Sequence, residues 1–391
     1  MVWPFSGNSA ALLNGETVES SSSPRTRFAF RLLRELLRAD DAANVFISPP
    51  SVMLCLALVR ELASGETRQS MASALEIAGM DHVGIEREIS SLKSTFSERT
   101  GAELSLANAL FLAGHAQVGA ALQTQLLALY DAELSSLDFS RPEAVRTINA
   151  WVAAKTRGKI PLIVSQLSSL TALLALNAVY FRSRWLTPFE KVLTRDRPFH
   201  AASGAVKQVP TMMQSGTYRY YEDKHVQLAA LPYNGNMSAY VVLPAADADV
   251  PRFRLSLASG IWESWLAKLR SMPGTICLPR FRVDYDTELK PALKALGMER
   301  AFDPHRAEFD QVRTVQPPVW LDRVVHRAVA EVNEEGTEAA AATIAVTFCA
   351  SAKYARPPKR FEMIVDRPFV TVICDHSTKA ILFMGWIGDP Q

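Results

Sequence analysis

Residues 331–351 read EVNEEGTEAAAATIAVTFCAS, and as a local code this stretch contradicts itself. Its first half is acidic and alanine-rich, which favours a helix. Its second half is a β-branched and aromatic run that favours a strand. Gly336 stands ahead of the alanines, where a residue without a Cβ can serve as a hinge. Were the segment after Gly336 extended, alternate residues would face the same side. One parity is then Thr337, Ala339, Ala341, Thr343, Ala345 and Thr347, all small and none charged; the other carries Glu338, Ile344, Val346 and Phe348. A strand sliding into an already packed sheet pushes one face into the core, where extra volume and unpaired charge are both costly. The small parity suits that burial, and outside the sheet the same alanines tolerate a helical or irregular loop. The stretch therefore reads as one segment with two conformations, the alternative on composition alone being an alanine-rich surface helix.

The rest of the chain bounds the setting. Its 391 residues, 48% of them hydrophobic, suffice for a sizeable core. Charged residues at 21% and a formal net charge of +2 leave no surplus that would imply a nucleic-acid partner. Cys55, Cys277, Cys349 and Cys374 are far apart and form no C-x-x-C pair, so reduced thiols are expected. The N-terminal stretch lacks the apolar middle of a secretory signal, because Ala10–Leu13 is too short a run. A cytoplasmic setting is expected on that ground, or a secreted one if this is a mature form. The apolar runs Val52–Val59 and Leu173–Phe181 fall well below the ~18 residues of a membrane span, so neither a membrane partner nor a span is expected.

Periodicity places the elements. Phe28, Leu32 and Leu36 mark one face of a helix. "NVFISPPS" predicts a short strand, a Pro-Pro break and a helix over Val52–Leu62, capped by Ser51 and buried nearly all round. Helices are predicted over Glu66–Ile77, Val83–Thr95, Glu143–Arg157 and Tyr285–Leu296. Strands are predicted over Leu104–Leu112, Leu173–Phe181, Val209–Met213, Gln227–Leu231, Ser238–Leu243, Phe369–Cys374 and Ala380–Trp386. The layout is α+β, with helices gathered in the first half, no long linker and no internal repeat.

Common catalytic signatures are missing: there is no G-x-S-x-G, no G-x-x-x-x-G-K-[ST], no G-x-G-x-x-G and no H-E-x-x-H. The histidines His82, His115, His200, His225, His305, His326 and His376 have no ligand spacing, so neither a metal nor a cofactor is called for. The chain is not expected to be an enzyme; a non-standard hydrolase is the alternative from another class.

Five segments, "NVFISPPSVMLCLALV", "NAVYFRSRWLTPFE", "LPRFRVDYDTELKPALKALGM", "VHRAVAEVNEEGTEAAAAT" and "DRPFVTVICDHSTKAILFMGWIGDP", stand in the order and approximate spacing of serpins. Across roughly residues 25–390 the chain resembles that family in its inhibitory form. The fold the resemblance implies is α+β, with three β-sheets, about nine α-helices and an exposed reactive-centre loop. Residues 1–24 would be a flexible lead and 25–391 a single serpin domain, with the loop over about 334–360.

The activity implied is suicide inhibition. A serine protease attacks the loop as substrate, and its nucleophile forms an acyl-enzyme at the scissile carbonyl. The cleaved loop then inserts as a strand before water can hydrolyse the ester, a case of β-strand addition that releases stored strain. Gly336–Ala350 spans 15 residues, which at ~3.3 Å each makes a strand of ~50 Å. That carries the protease across most of the molecule. The starting state is then held by a kinetic barrier. The covalent partner would be a serine protease, and the free inhibitor a monomer that can polymerise on heating.

The resemblance puts the reactive bond at Ala350–Ser351, where a small side chain favours an elastase-like enzyme with a shallow primary pocket. Phe348 would invite a chymotrypsin-like protease and Lys353 a trypsin-like one; a subtilisin-like target and Cys349 as the attacked position also stay open. The hinge would be Glu334, Glu335, Gly336, Thr337, Glu338, Ala339, Ala340, Ala341 and Ala342. Ser48, Ser51, Asn177 and His326 match the buried polar cluster, or shutter, under the central strands. Trp185, Arg280 and Glu334 match the breach where the loop enters, with Glu334 and Arg280 as a clasp that at a partly exposed site contributes ~0–1 kcal/mol. The basic run Lys353, Arg356, Lys359 and Arg360 reads as a solvated loop. A serpin acting as carrier, chaperone or storage protein is the alternative; charged, bulky or proline residues on the inward parity would signal it, and none occurs.

Overall fold

A computed structural model describes residues 22–39, 44–96, 101–314, 318–336 and 359–390. Among them lie nine α-helices and three sheets. The first helix, Pro24–Ala39, buries Phe28, Leu32 and Leu36 with Phe30 and Leu33, the stripe that its apolar spacing demands. The second, Pro49–Leu62, is apolar on every side and buried throughout except at Glu61.

That second helix corrects one expectation. It begins at Pro49, with Ser48 as N-cap and both prolines in its first turn, so Ser51 is a helical residue and not the cap. Proline has no N–H to leave unsatisfied at a helix start, and its fixed φ is already helical. The Pro-Pro pair therefore starts the helix that it was expected to precede. Freed from capping, the Ser51 hydroxyl points into the core.

A second correction concerns Tyr285–Leu296. Phe281–Glu288 is a strand with alternating burial in which Phe281, Val283 and Tyr285 face inward, and the helical run begins only at Lys290, as an α-helix to Leu293 continued by a π-helical stretch over Lys294–Met298. Polar residues at 282, 284 and 286 fit a period of two, and pairing with a neighbouring strand keeps the chain extended through Glu288, so only the lysines and leucines from Lys290 onward are helical.

The largest sheet has nine strands in the order Asn44–Ile47, Ile381–Ile387, Phe369–Asp375, Met237–Pro244, Val226–Tyr233, Val206–Glu222, Arg270–Pro279 and Phe361–Ile364, with Arg195–His200 also paired to the long Val206–Glu222 strand. The smallest joins Gln117–Val118 to Val312–Arg313.

The central sheet has five strands, in the order Phe281–Glu288, Leu321–Val332, Leu173–Ser183, Ala102–Ala113 and Glu133–Leu137. One of its faces packs on the Pro49–Leu62 helix and the nine-stranded sheet, within the main core. The other face carries small and branched residues, Ala107, Ala109, Leu174, Ala178, Val325 and Val329 among them. These are covered by Ile148 and Val152 of the helix Pro142–Lys155 and by Ile160, Ile163 and Val164 of the chain that follows it. Among the described residues no helix is long and apolar enough to cross a membrane. Cys55, Cys277 and Cys374 are buried free thiols; burial pushes Cys55 up to about 12 and Cys374 higher still.

Candidate functional site

The strand that leads into residues 331–351 is Leu321–Val332, and its partner across the middle of the sheet is Leu173–Ser183. The two run parallel and are hydrogen-bonded to each other directly, from Leu321 opposite Leu173 to Ala330 opposite Phe181. No strand lies between them. Parallel neighbours joined without an intervening strand form a seam that another strand, antiparallel to both, could enter with its backbone groups satisfied on each side.

The middle of this seam is held by side chains. His326 and Asn177 face each other in register, and Asn177 stands opposite Asn108 on the next strand. The Asn177 Oδ1 accepts the Ser51 hydroxyl at 2.9 Å and the His326 Nδ1–H at 2.5 Å, while its Nδ2 donates to Asn108 Oδ1 at 2.5 Å. The Ser48 backbone N–H points at His326 Nε2 at 3.4 Å, which makes Nε2 the acceptor and assigns the hydrogen to Nδ1. The Ser51 hydroxyl also reaches the Ser48 carbonyl at 2.9 Å. Ser48, Ser51, Asn177 and His326 are all fully buried. Burial drives the His326 pKa down to about 3 against its hydrogen bonding to Asn177, so the ring is neutral and serves no proton-transfer role at ordinary pH.

The sequence-derived shutter residues are thus brought together, with one adjustment. Ser48 contributes its backbone; its Oγ is buried and has no partner among the described residues. Asn108 completes the network and was missed. Its signal was a lone amide in the largely apolar strand "LSLANALFLA", where a buried polar group needs a partner.

Farther along the seam, side chains of Leu321–Val332 reach over to the covering chain. Arg327 forms a fork on Asp284 of the edge strand, at 2.7 and 2.8 Å, and its third contact is the Leu162 carbonyl. Thr171 donates to Asp322 at 2.9 Å. The Arg327–Asp284 pair lies within the two strands on one side of the seam. The contacts of Arg327 to Leu162, Arg323 to Gln166 and Asp322 to Thr171 reach the covering chain, and they add to the backbone pairing and the His326–Asn177 bond that must break if the strands part.

At the top of the seam the chain turns and docks. Glu334, with its side chain 2% exposed, receives Arg280 Nε at 2.7 Å together with Arg280 Nη2 and the Thr194 hydroxyl. Burial opposes the charge on Glu334, but the hydrogen bonds from Arg280 and Thr194 outweigh it and hold the carboxyl below its usual range. Glu335 pairs with Lys191, and its carbonyl accepts the Trp185 N–H at 3.1 Å. The Trp185 indole donates to the Asn333 carbonyl at 2.8 Å and stacks on Tyr233 with centroids 4.1 Å apart. Gly336, with φ +106°, bridges to Arg184; a Cβ there would collide with the Ser183 carbonyl and the backbone of Arg184 and Trp185. Glycine is required both for the backbone angle and for the close approach.

The structure therefore brings Trp185, Arg280 and Glu334 to one place, and the carboxylate of the Glu334–Arg280 pair is more buried than that of a partly exposed pair. Thr194 and Lys191 were missed, because each lies far from the hinge in sequence. Thr337, Glu338, Ala339, Ala340, Ala341 and Ala342 of the hinge lie outside the described residues. So do Ala350 and Ser351, the alternatives Phe348, Cys349 and Lys353, and residues 1–21 of the lead. The chain resumes at Lys359, paired with Glu222 at 2.9 Å, and Phe361 stacks on Tyr220 at 3.7 Å in the strand that ends the nine-stranded sheet. No cluster of side chains suited to a metal occurs among the described residues.

Comparisons with known proteins agree with this geometry. The profile of the serpin family, described as serine protease inhibitor, matches residues 23–390. Leukocyte elastase inhibitor of Bos taurus is 33% identical over 95% of this chain and 100% of its own. An uncharacterized serpin-like protein of Thermococcus kodakarensis is 34% identical over 93% of this chain and 84% of its own. Among solved structures, human thyroxine-binding globulin covers 96% of this chain and 100% of its own with a TM-score of 0.84 at 26% identity. The native state of the thermophilic serpin tengpin superposes with a TM-score of 0.85 over 99% of this chain and 96% of its own at 23% identity, a likeness of fold. With the shut seam, the docked hinge and a family profile running nearly end to end, this chain belongs to the serpin family.

Proposed function

We propose that this protein is an irreversible suicide inhibitor of serine proteases, with an elastase-like enzyme as its target. One observation carries the reading: Leu321–Val332 and Leu173–Ser183 are directly paired, and the chain that leaves them passes a docked Gly336 into a run whose inward parity is small and uncharged. A shut seam beside a strand sequence able to fill it is the physical requirement for loop insertion.

The protease serine Oγ attacks the Ala350 carbonyl carbon. An ester forms, the bond to Ser351 breaks, and the Ser351 amine leaves with a proton. Freed at that end, residues 337–350 enter the seam from the breach downward, with Thr337, Ala339, Ala341, Thr343, Ala345 and Thr347 turned inward. The protease is dragged with its ester intact, and the complex is trapped after one turnover. The likeness to leukocyte elastase inhibitor and the small Ala350 side chain support the elastase class. The likeness to thyroxine-binding globulin keeps a non-inhibitory role as the second reading.

The test is to mix the protein with elastase-like, chymotrypsin-like, subtilisin-like and trypsin-like proteases and to look for an SDS-resistant adduct. An adduct with the elastase-like enzyme, and amino-terminal sequence beginning at Ser351 in the released peptide, is the expected result. Cleavage in the loop without any adduct overturns the inhibitory reading in favour of the carrier role. Turnover of a peptide or ester substrate by the protein itself would make it an enzyme.

A further inference from the structure

We infer that Asn234 is a site of spontaneous deamidation whose product loosens the hinge from beneath. Seven asparagines lie among the described residues, and six of them use the side chain in a hydrogen bond: Asn44, Asn108, Asn149, Asn177, Asn236 and Asn333. The Asn234 side-chain amide makes none among the described residues, and neither does the backbone N–H of Gly235. Asn234 is also the one of the seven that is followed by glycine. The pair forms the tip of the hairpin joining Val226–Tyr233 to Met237–Pro244, where Gly235 has φ +78°.

Asparagine is a chemically labile residue, and among the described residues both reacting groups here are uncommitted. The Gly235 nitrogen, having lost its proton to water or hydroxide, attacks Asn234 Cγ. The N–Cγ bond forms, the Cγ–Nδ2 bond breaks, and ammonia leaves after taking up a proton. Water then opens the resulting succinimide. Opening at Cγ gives aspartate, and opening at the main-chain carbonyl carbon gives isoaspartate, whose backbone runs through Cβ and Cγ. No oxidant or further reagent is required, and the absence of a Cβ on Gly235 leaves the approach unhindered.

The position couples this chemistry to the hinge. The Asn234 N–H donates to the Arg184 carbonyl at 2.8 Å, and the Ser183 hydroxyl donates to the Asn234 carbonyl at 3.3 Å. Tyr233 stacks on Trp185, and Leu186 N–H donates to the Pro232 carbonyl at 2.8 Å. The segment so gripped, Ser183–Leu186, is the platform on which Glu335 and Gly336 dock. An extra main-chain carbon at residue 234 shifts the hairpin against Arg184, and so weakens the platform. Aspartate adds the charge without the shift.

The conversion itself is independent of the inhibitory reading; only its consequence for protease trapping rests on it. Purified protein is aged at mildly alkaline pH below its unfolding temperature, and the peptide containing residue 234 is followed by mass spectrometry and by isoaspartate-specific methylation. Asn14–Gly15 in the same chain reports the rate of the chemistry. Docking of the hinge is read by cleavage after Glu334 and Glu335 with a glutamate-specific protease, which needs no inhibitory activity. Residue 234 is expected to convert to an isoaspartate-containing mixture, with cleavage at the hinge rising several-fold in step. Asn234→Gln should abolish both changes, and Asn234→Asp should reproduce only a minor part of the second. If Asn14 converts while Asn234 keeps its amide, or if residue 234 converts and the hinge is cleaved no faster, the inference is wrong.

Discussion

The middle of the seam and its top are closed by opposite chemistry. In the shutter, Ser48, Ser51, Asn108, Asn177 and His326 are buried, neutral and joined by short hydrogen bonds. At the breach, Glu334 and Glu335 hold Arg280 and Lys191, whose side chains are 42% and 63% exposed. A neutral buried network is insensitive to salt and fails when one member loses its partner. At the charged clasp the half-exposed Arg280 and the exposed Lys191 are open to screening by salt, while the Glu334 carboxylate that Arg280 holds is buried. On the proposed mechanism the loop enters from the top, so the lock with the exposed cations stands where opening would begin.

Acid should separate the two regions most strongly. The folded His326 pKa is about 3 against an ordinary 6.5, so the native state resists a proton that the unfolded chain takes up. Stability is then fully present above about 6.5 and falls as pH drops toward 3, by at most about 1.4 kcal/mol per pH unit from this group. Glu334, with its folded pKa depressed below the ordinary 4.5, contributes stability that is lost only as pH falls through that lower range. Denaturation midpoints measured across this span should show a loss beginning near neutrality that His326→Gln removes. If both regions weaken together only in the carboxylate range, the contrast is broken.

Gly336→Val attacks the dock by shape. The forced positive φ costs about 1–3 kcal/mol, and the collision with Ser183 and Arg184 adds to it. Thermal unfolding and hinge cleavage should both report the loss. In the shutter, Asn177→Ala strands the His326 N–H and the Asn108 amide and leaves the Ser51 hydroxyl only the Ser48 carbonyl, at about 1–3 kcal/mol for an unsatisfied buried group. The expected result is a lower melting temperature, unchanged by added salt.

Glu334→Lys places two cations together at the breach and should act chiefly on rate. Spontaneous insertion and heat-induced polymer, followed by native gels, should accelerate several-fold; if neither changes, the clasp is not a lock. The smallest effect is assigned to Lys191→Ala, ~0–1 kcal/mol for an exposed pair, and it should vanish at high salt.

The elements that were legible in advance are those whose neighbours in sequence set their burial. Phe28, Leu32 and Leu36 specify a helix wherever they are placed, and Leu173–Phe181 is apolar enough to be an interior strand in any α+β arrangement. Tyr285–Leu296 was misread because its strand half depends on a partner at Val325–Val332. Ser51 was misread for a similar reason: next to prolines a serine suggests a cap, and only Asn177, 126 positions away, explains its direction. Thr194 and Lys191 carried no signal, since a threonine and a lysine gain meaning only from the carboxylates folded against them.

The sequence by itself determined that residues 337–347 carry small, uncharged side chains at alternate positions, because side-chain size and charge are local properties. It also determined that Gly336 must precede them. Only the tertiary structure decided that Leu321–Val332 and Leu173–Ser183 are joined directly, and that the hinge is clasped above them. The choice between an open and a shut seam rests on contacts between residues more than a hundred positions apart, whose energies no local pattern encodes.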